Sequence, residues 1–180
     1  MRADARRNVD AVVAAAKEAF AHTGVDTPAK SITDAAGVGV GTLYRHFPRR
    51  SDLIIAVLQQ EIDECVAAVD QLLTTKDPWT ALTAWIERYT DLVATKQGLA
   101  AALHSGDAAY DGLPAHFMAA LEPALQRLLD RAVAARVVRD DVTARDVITT
   151  VALVSQPVPG RPAEFNARMV HVFLEGMRRA

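Results

Sequence analysis

The sequence has a single cysteine, few aromatic residues and no long apolar run. Cys65 is the only cysteine among 180 residues, which excludes a disulfide framework within one chain and fits a reducing compartment. No stretch approaches the roughly 20 consecutive apolar residues of a membrane span, and the N-terminus has no signal-peptide core. We therefore expect a soluble, cytoplasmic protein with no membrane partner.

The chain also lacks a strong excess of either charge. Its formal net charge is −2 and 51% of its residues are apolar, a composition typical of a globular protein. An acidic balance disfavours a nucleic-acid ligand, but the charge is unevenly distributed. Residues 1–58 contain eight lysines and arginines against six acidic residues, whereas residues 59–180 contain twelve against sixteen. The positive end of the chain is therefore the candidate for nucleic-acid contact.

The segment from Ser31 to Phe47 has the pattern of two short helices joined by a glycine turn. Gly37 stands where the first helix must end in a left-handed conformation, which glycine adopts without a Cβ clash. Leu43 and Phe47 are four residues apart and form the inner face of the second helix. The pattern predicts a helix-turn-helix, whose second helix enters the major groove of DNA. The outward residues of that helix are Val40, Gly41, Thr42, Tyr44, Arg45 and His46.

Four residues that flank this second helix are further candidates for DNA contact. Thr27 and Ser31 would lie near the DNA backbone if the helix that begins after Thr27 crosses it. Arg49 and Arg50 open the next helix, where two positive charges oppose the helix macrodipole and a bound phosphate would reverse that disadvantage. The residues predicted to contact base edges are Val40, Thr42 and Arg45, and those predicted to contact phosphates are Thr27, Ser31, Tyr44, Arg49 and Arg50.

These motifs resemble the N-terminal domain of the TetR family of bacterial transcriptional regulators. The resemblance covers Phe20 to Gly24, Ile32 to Phe47 and Leu53 to Leu58, about the first third of the chain. Gly39 stands where the family usually has a serine cap, an exchange that costs only a few tenths of a kcal/mol. The resemblance implies a homodimer that binds a palindromic operator in double-stranded DNA. It further implies a repressor released by a small-molecule effector.

The pattern of the remaining residues predicts helices and no strand. Apolar residues recur at helical spacing, and Asp77-Pro78 and Thr143 to Asp146 have the sequence of helix starts. We expect an all-α fold of about nine helices. A three-helix helix-turn-helix domain would occupy residues 1–52. A larger helical domain for effector binding and dimerisation would occupy residues 53–180, linked through the fourth helix.

The resemblance assigns effector binding and dimerisation to the larger domain. Large apolar side chains with a few polar tips are typical of a ligand pocket, although the same spacing is more often plain core. The candidate pocket residues are Cys65, Trp85, Tyr89, Leu103, His104, Phe117 and Leu121. The last two helices would form a four-helix bundle across a two-fold axis, or else pack wholly inside one chain. The candidate interface residues are Val147, Val151, Phe165, Met169 and Phe173.

Two other classes of function stay open at this point. An enzyme or metal protein would need a convergent polar cluster, for which the best set is His104, Asp107, Asp111 and His116. Their spacing matches no standard ligand pattern, so we expect no catalytic residue, no metal and no cofactor. The other alternative is a DNA-binding architectural or activating protein without a small ligand.

Overall fold

The computed structural model describes residues 2–179, without the side chains of residues 2–4 and 163. Within that range the chain forms nine α-helices and one 3₁₀ turn, which confirms the predicted all-α fold. The helices are α1 (Arg2–Thr23), α2 (Ala29–Ala36), α3 (Val40–His46), α4 (Arg50–Thr75), α5 (Pro78–Gly98), α6 (Ala100–Leu103), α7 (Leu113–Ala134), α8 (Ala144–Val154) and α9 (Ala163–Met177). The 3₁₀ turn lies at Ala108–Tyr110. No helix in the described range is long and apolar enough to span a membrane.

The chain divides into two compact units. The first comprises the residues up to Glu61 together with Thr95–Leu113, and the second comprises Ile62–Ala94 together with the residues from Pro114 onward. Sequence reasoning placed a boundary after residue 52, whereas in this division the start of α4 stays with the first unit as far as Glu61. The segment 95–113 also belongs to the first unit, although it is distant in sequence. Both α4 and α5 contribute residues to each unit.

The core of the first unit is built mainly from the apolar faces of α1, α2, α3 and the start of α4. The buried apolar residues of α1 recur mainly at spacings of three and four, as in an amphipathic helix. Gly37 ends α2 with a φ of 68°, the left-handed conformation that the sequence predicted for it. Buried apolar residues of the unit include Val12, Val13, Ala16, Phe20, Ile32, Leu43, Phe47, Leu53, Ile54, Val57 and Leu58.

A buried charge lies beside these apolar residues. Glu61 on α4 is only 5% exposed, and its carboxylate forms an ion pair with the ammonium group of Lys17 on α1. A buried carboxylate without a partner would be strongly destabilising, so the lysine compensates for the loss of water. The pair ties α1 to α4 within the first unit.

The second unit is held together by apolar faces of α5, α7 and α8. Asp77 caps α5 by accepting hydrogen bonds from the backbone N–H groups of Trp79 and Thr80, each at 3.1 Å. Thr143 and Asp146 form the predicted capping box at the start of α8. Pro123 lies inside α7, which continues on both sides of it. The fully buried apolar side chains include Leu82, Trp85, Ile86, Leu125, Leu128, Leu129, Val147 and Val151.

Candidate nucleic-acid interface

The short helix α3 is fixed to the first unit by two apolar anchors. Leu43 is 4% exposed, and Phe47, which ends the helix, is 8% exposed. Gly39 precedes α3 in an extended conformation and lacks a capping side chain, while its carbonyl accepts the first hydrogen bond from the Thr42 N–H group at 2.8 Å. Because both anchors point inward, the remaining side chains of α3 face outward or lie at its edge.

The outward surface of α3 carries both apolar and cationic groups. Val40 is 37% exposed and Tyr44 is 54% exposed, although both are large hydrophobic residues. Arg45 and His46 are exposed in the last turn, and Thr42 is half-buried. Exposed apolar groups beside donors and cations suit a DNA groove, where they can meet a thymine methyl group, base edges and phosphates. All of the predicted α3 contacts except Thr42 are therefore exposed to solvent.

The turn between α3 and α4 presents Arg49 to solvent and pairs it with Asp52. The Arg49 side chain is 69% exposed, and its Nη2 atom lies 2.8 Å from Asp52 Oδ1. Asp52 Oδ2 also accepts the Arg49 backbone N–H at 2.9 Å, so the carboxylate caps α4. Hydrogen bonding to Arg49 holds the pKa of Asp52 below its usual range. The negative charge of Asp52 thus compensates for the unfavourable position of two arginines at the positive end of the helix dipole. Asp52 lies three residues after Arg49, the spacing of a capping box, so this role could have been predicted from the sequence.

Arg50 has a structural role that sequence reasoning missed. Its Nε atom donates to the Val25 carbonyl oxygen at 2.7 Å, and its Nη2 atom donates to the Val25 and Thr27 carbonyls. Its guanidinium also lies 5.0 Å from the centre of the Phe20 ring. Burial lowers the pKa of Arg50 from its usual value. The side chain therefore fastens the loop between α1 and α2 to the start of α4, and its predicted phosphate contact stays a prediction.

The two polar residues predicted before α3 differ in accessibility. Thr27 is only 7% exposed, and its hydroxyl donates to the Gly24 carbonyl at 2.8 Å and contacts the Thr23 hydroxyl. It does not cap α2, because Pro28 occupies the N-cap position and no side chain caps the helix. Ser31 is exposed on α2. Ser31 is thus the accessible one of the two for a phosphate.

The residues predicted to line an effector pocket lie in both units, and the aromatic pair among them is packed as core. Trp85 is fully buried and its Nε1–H donates to the Cys65 carbonyl at 2.9 Å. The Tyr89 hydroxyl donates to the Ile148 carbonyl at 3.1 Å, and the two rings stack with centroids 5.7 Å apart. Backbone carbonyl groups therefore already accept hydrogen bonds from both the indole N–H and the tyrosine hydroxyl. Buried in the same unit are Cys65, Phe117 and Leu121, whereas Leu103 and His104 belong to the first unit.

The buried hydroxyl of Tyr89 predicts an alkaline loss of stability. Burial raises the pKa of Tyr89 to about 12, whereas an unfolded tyrosine ionises near 10. The stability that depends on the protonated Tyr89 hydroxyl is therefore complete below pH 10. As the pH rises to 12 and above, its loss lowers the free energy of unfolding by about 3 kcal/mol. Tyr89→Phe should lose about 1 kcal/mol at pH 8 with its hydrogen bond, but should lack this alkaline fall.

Urea unfolding of both proteins at pH 8 and pH 11 measures the difference. Tyr44→Phe, at a side chain that is 54% exposed, is the matched control and should behave as the wild type. An equal loss of stability between the two pH values in wild type and Tyr89→Phe would show that Tyr89 does not cause it.

The predicted dimer residues on α8 and α9 fall into two groups. Val147 and Val151 are fully buried in the core of their own chain, so they are not available to a partner. Phe165, Met169 and Phe173 on α9 are half-buried. The apolar residues exposed on these helices are ones that the sequence did not single out, Leu153 at 66% and Val172 at 60%.

The polar cluster considered for metal or catalytic chemistry does not gather into a site. His104 Nδ1 contacts the Ala100 carbonyl within its own helix turn, at 2.8 Å. Asp107 caps the 3₁₀ turn by accepting the Ala109 N–H at 2.9 Å. No group of three or more potential metal-binding side chains occurs within the described residues.

Both parts of the chain match known protein families. Residues 12–57 match the family described as bacterial regulatory proteins, tetR family. Residues 77–179 match the C-terminal domain of SbtR-like transcriptional regulators. The first match contains α3 and its anchors, and the second contains α7, α8 and α9.

Curated relatives match about half of the chain or less. The transcriptional activator FasR of Mycolicibacterium smegmatis is 38% identical over 81 residues, which are 44% of this chain and 37% of FasR. An HTH-type transcriptional regulator of Staphylococcus aureus is 30% identical over 97 residues, which are 51% of this chain and 50% of that protein. The chain thus spans half or less of the length of these relatives.

Solved structures match nearly the whole chain. The TetR transcriptional regulator SCO0520 of Streptomyces coelicolor is 34% identical, with a TM-score of 0.76 over 96% of this chain and 99% of that one. The TetR regulatory protein of Mycobacterium vanbaalenii is 32% identical, with a TM-score of 0.74 over 98% of both chains. Because the C-terminal family match alone covers more than half of the sequence, the chain belongs to the TetR family of bacterial transcriptional regulators.

Proposed function

We propose that the chain is a homodimeric repressor that binds a palindromic operator and is released from it by a small-molecule effector. The observation that carries the proposal is the geometry of α3. Leu43 and Phe47 bury one side of the helix, and its opposite surface presents Val40, Tyr44 and Arg45 to solvent. A regulator of this kind binds DNA in the bacterial cytoplasm.

The accessible residues divide into two roles on the DNA. We assign base-edge contacts to Val40, Thr42 and Arg45, since groups on the recognition helix read the major groove. We assign phosphate contacts to Ser31, Tyr44 and Arg49, which are all exposed. His46 and Gly41 belong to the same surface. Thr27 and Arg50 hold the loop between α1 and α2 in place, and their phosphate contacts stay predictions.

Dimerisation is proposed to use the exposed apolar faces of α8 and α9. Leu153 and Val172 replace the buried Val147 and Val151 in this interface, and the half-buried residues Phe165, Met169 and Phe173 complete it. Two antiparallel helices from each protomer would then form a four-helix bundle across the two-fold axis. A single helix-turn-helix reads few base pairs, so two copies at a fixed spacing supply the specificity.

The effector is proposed to act by shifting a conformational equilibrium through α4. This helix runs unbroken from Arg50 to Thr75 and contributes residues to both units. A ligand that favours one packing of the second unit would therefore bias the position of the helix that follows α3 directly. A coupling free energy of about 1–3 kcal/mol changes DNA affinity roughly 5- to 150-fold.

The Arg49→Ala substitution tests the proposed backbone contact. It should weaken binding to operator and to scrambled duplex by similar factors, because phosphate contacts carry no sequence information. It should also reduce the dependence of affinity on salt, by up to about 0.9 in the logarithmic slope for each protomer. Fluorescence anisotropy titrations over a salt series measure both quantities.

The matched control for this experiment is Arg139→Ala, which removes the same charge from the loop between α7 and α8 and should leave the slope unchanged. A selective loss of operator binding in Arg49→Ala, with scrambled duplex unaffected, would assign Arg49 to base recognition instead.

A further inference from the structure

The phosphate-binding candidate Arg49 is already held by a carboxylate of its own chain. Three of its N–H groups donate to Asp52: the backbone N–H at 2.9 Å, Nη2–H at 2.8 Å and Nε–H at 3.2 Å. Both oxygens of the Asp52 carboxylate take part, and the Asp52 side chain is 25% exposed, against 69% for Arg49. Before DNA binds, the negative charge of Asp52 therefore largely neutralises the positive charge of the Arg49 guanidinium.

We propose that Asp52 is an intramolecular competitor of the DNA phosphate for Arg49, and so lowers the affinity of the chain for DNA of any sequence. A phosphate must either displace Asp52 from the guanidinium or share it with a carboxylate of the same charge. Asp52 is thereby a positioning residue that acts through Arg49. The inference rests on the proposed function, since it requires that Arg49 contacts DNA.

Neutralising Asp52 should therefore strengthen DNA binding. The amide oxygen of Asp52→Asn can still accept the Arg49 backbone N–H, so the cap of α4 is kept while the negative charge is removed. We expect binding to a scrambled duplex at low salt to tighten about two- to fivefold, the range of an exposed ion pair. The salt dependence should steepen by up to about 0.9 in logarithmic slope for each protomer.

A double-mutant cycle separates competition from simple repulsion between carboxylate and DNA. If Asp52 acts through Arg49, the Asp52→Asn substitution should have no effect in the Arg49→Ala background. If the carboxylate only repels the phosphate backbone, the same gain should persist there. Asp140→Asn, which makes the same charge change in the loop between α7 and α8, is the matched control and should leave affinity unchanged.

Anisotropy of a labelled scrambled duplex with the full chain gives all of these values without knowledge of the operator. Circular dichroism checks folding, and Asp52→Gln supplies a second neutral cap if Asp52→Asn unfolds. Wild-type affinity in the folded neutral variant, or a gain that persists without Arg49, would overturn the inference while leaving DNA binding intact. Failure of the wild-type chain to bind any duplex would overturn both the inference and the proposed function.

Discussion

The Arg45→Ala substitution is expected to remove most of the preference for the operator while leaving affinity for other DNA nearly unchanged. Arg45 is exposed in the last turn of α3, and the planar guanidinium of arginine matches the O6 and N7 atoms of guanine. Losing one such pair should lower operator affinity about 10- to 100-fold in each half-site. The two-fold dimer loses it twice, so the combined effect on operator binding is large.

The measurement is competition anisotropy on an operator selected in vitro from random duplexes. Arg45→Lys keeps the positive charge but loses the planar fork, so it should retain non-specific binding and still lose most of the preference. If Arg45→Lys keeps the full operator preference, or if Arg45→Ala weakens all duplexes equally, Arg45 is a phosphate contact and its assigned role is wrong.

The Val172→Glu substitution should convert the dimer to a monomer and reduce operator affinity about a thousandfold, towards the level of non-specific binding. Val172 is 60% exposed in the single chain, so a glutamate there should leave the fold of the monomer intact. In the proposed bundle the substitution places a carboxylate in an apolar interface in both protomers, without a partner for either charge. Light scattering gives the oligomeric state, and anisotropy gives the affinity.

Val66→Glu is the matched control, since it makes the same chemical change at a 40%-exposed valine on α4. It should remain dimeric and retain its affinity for DNA. A Val172→Glu protein that stays dimeric at micromolar concentration would exclude this face of α9 from the interface.

The recognition helix could be read from sequence because its determinants are local. Gly37 provides the left-handed turn, and Leu43 and Phe47 are one helical turn apart, so the inner face of α3 follows from spacing alone. The capping box at Thr143 is local for the same reason. Features that depend on neighbours within about four residues were therefore predicted well.

The role of Arg50 could not be read in the same way. Its guanidinium binds the carbonyl oxygens of Val25 and Thr27, which precede it by 25 and 23 residues. No pattern in the sequence marks a backbone carbonyl as the partner of a distant arginine. By sequence position alone, Arg49 and Arg50 looked equivalent. Only the tertiary structure shows that Arg50 is a structural residue and that Arg49 is exposed.

The larger domain shows a second limit of sequence patterns. The spacing of Trp85 and Tyr89 suits both a pocket and a core, and it does not reveal that their polar atoms donate to the distant carbonyls of Cys65 and Ile148. On α8 the apolar residues cover more than one face, so periodicity does not tell which side meets the chain's own core. Burial of Val151 and exposure of Leu153 settle that question for the monomer.

The measurement that tests the central claim most directly is the anisotropy of the purified chain on DNA flanking its own coding region, against a scrambled duplex, over a salt series. Sequence-specific binding by a dimer predicts two protomers per site and at least about a thousandfold preference for one site in the native fragment. Equal, weak and steeply salt-dependent binding to both duplexes is the signature of non-specific contact with phosphates. That result, repeated with duplexes selected in vitro, would contradict the account.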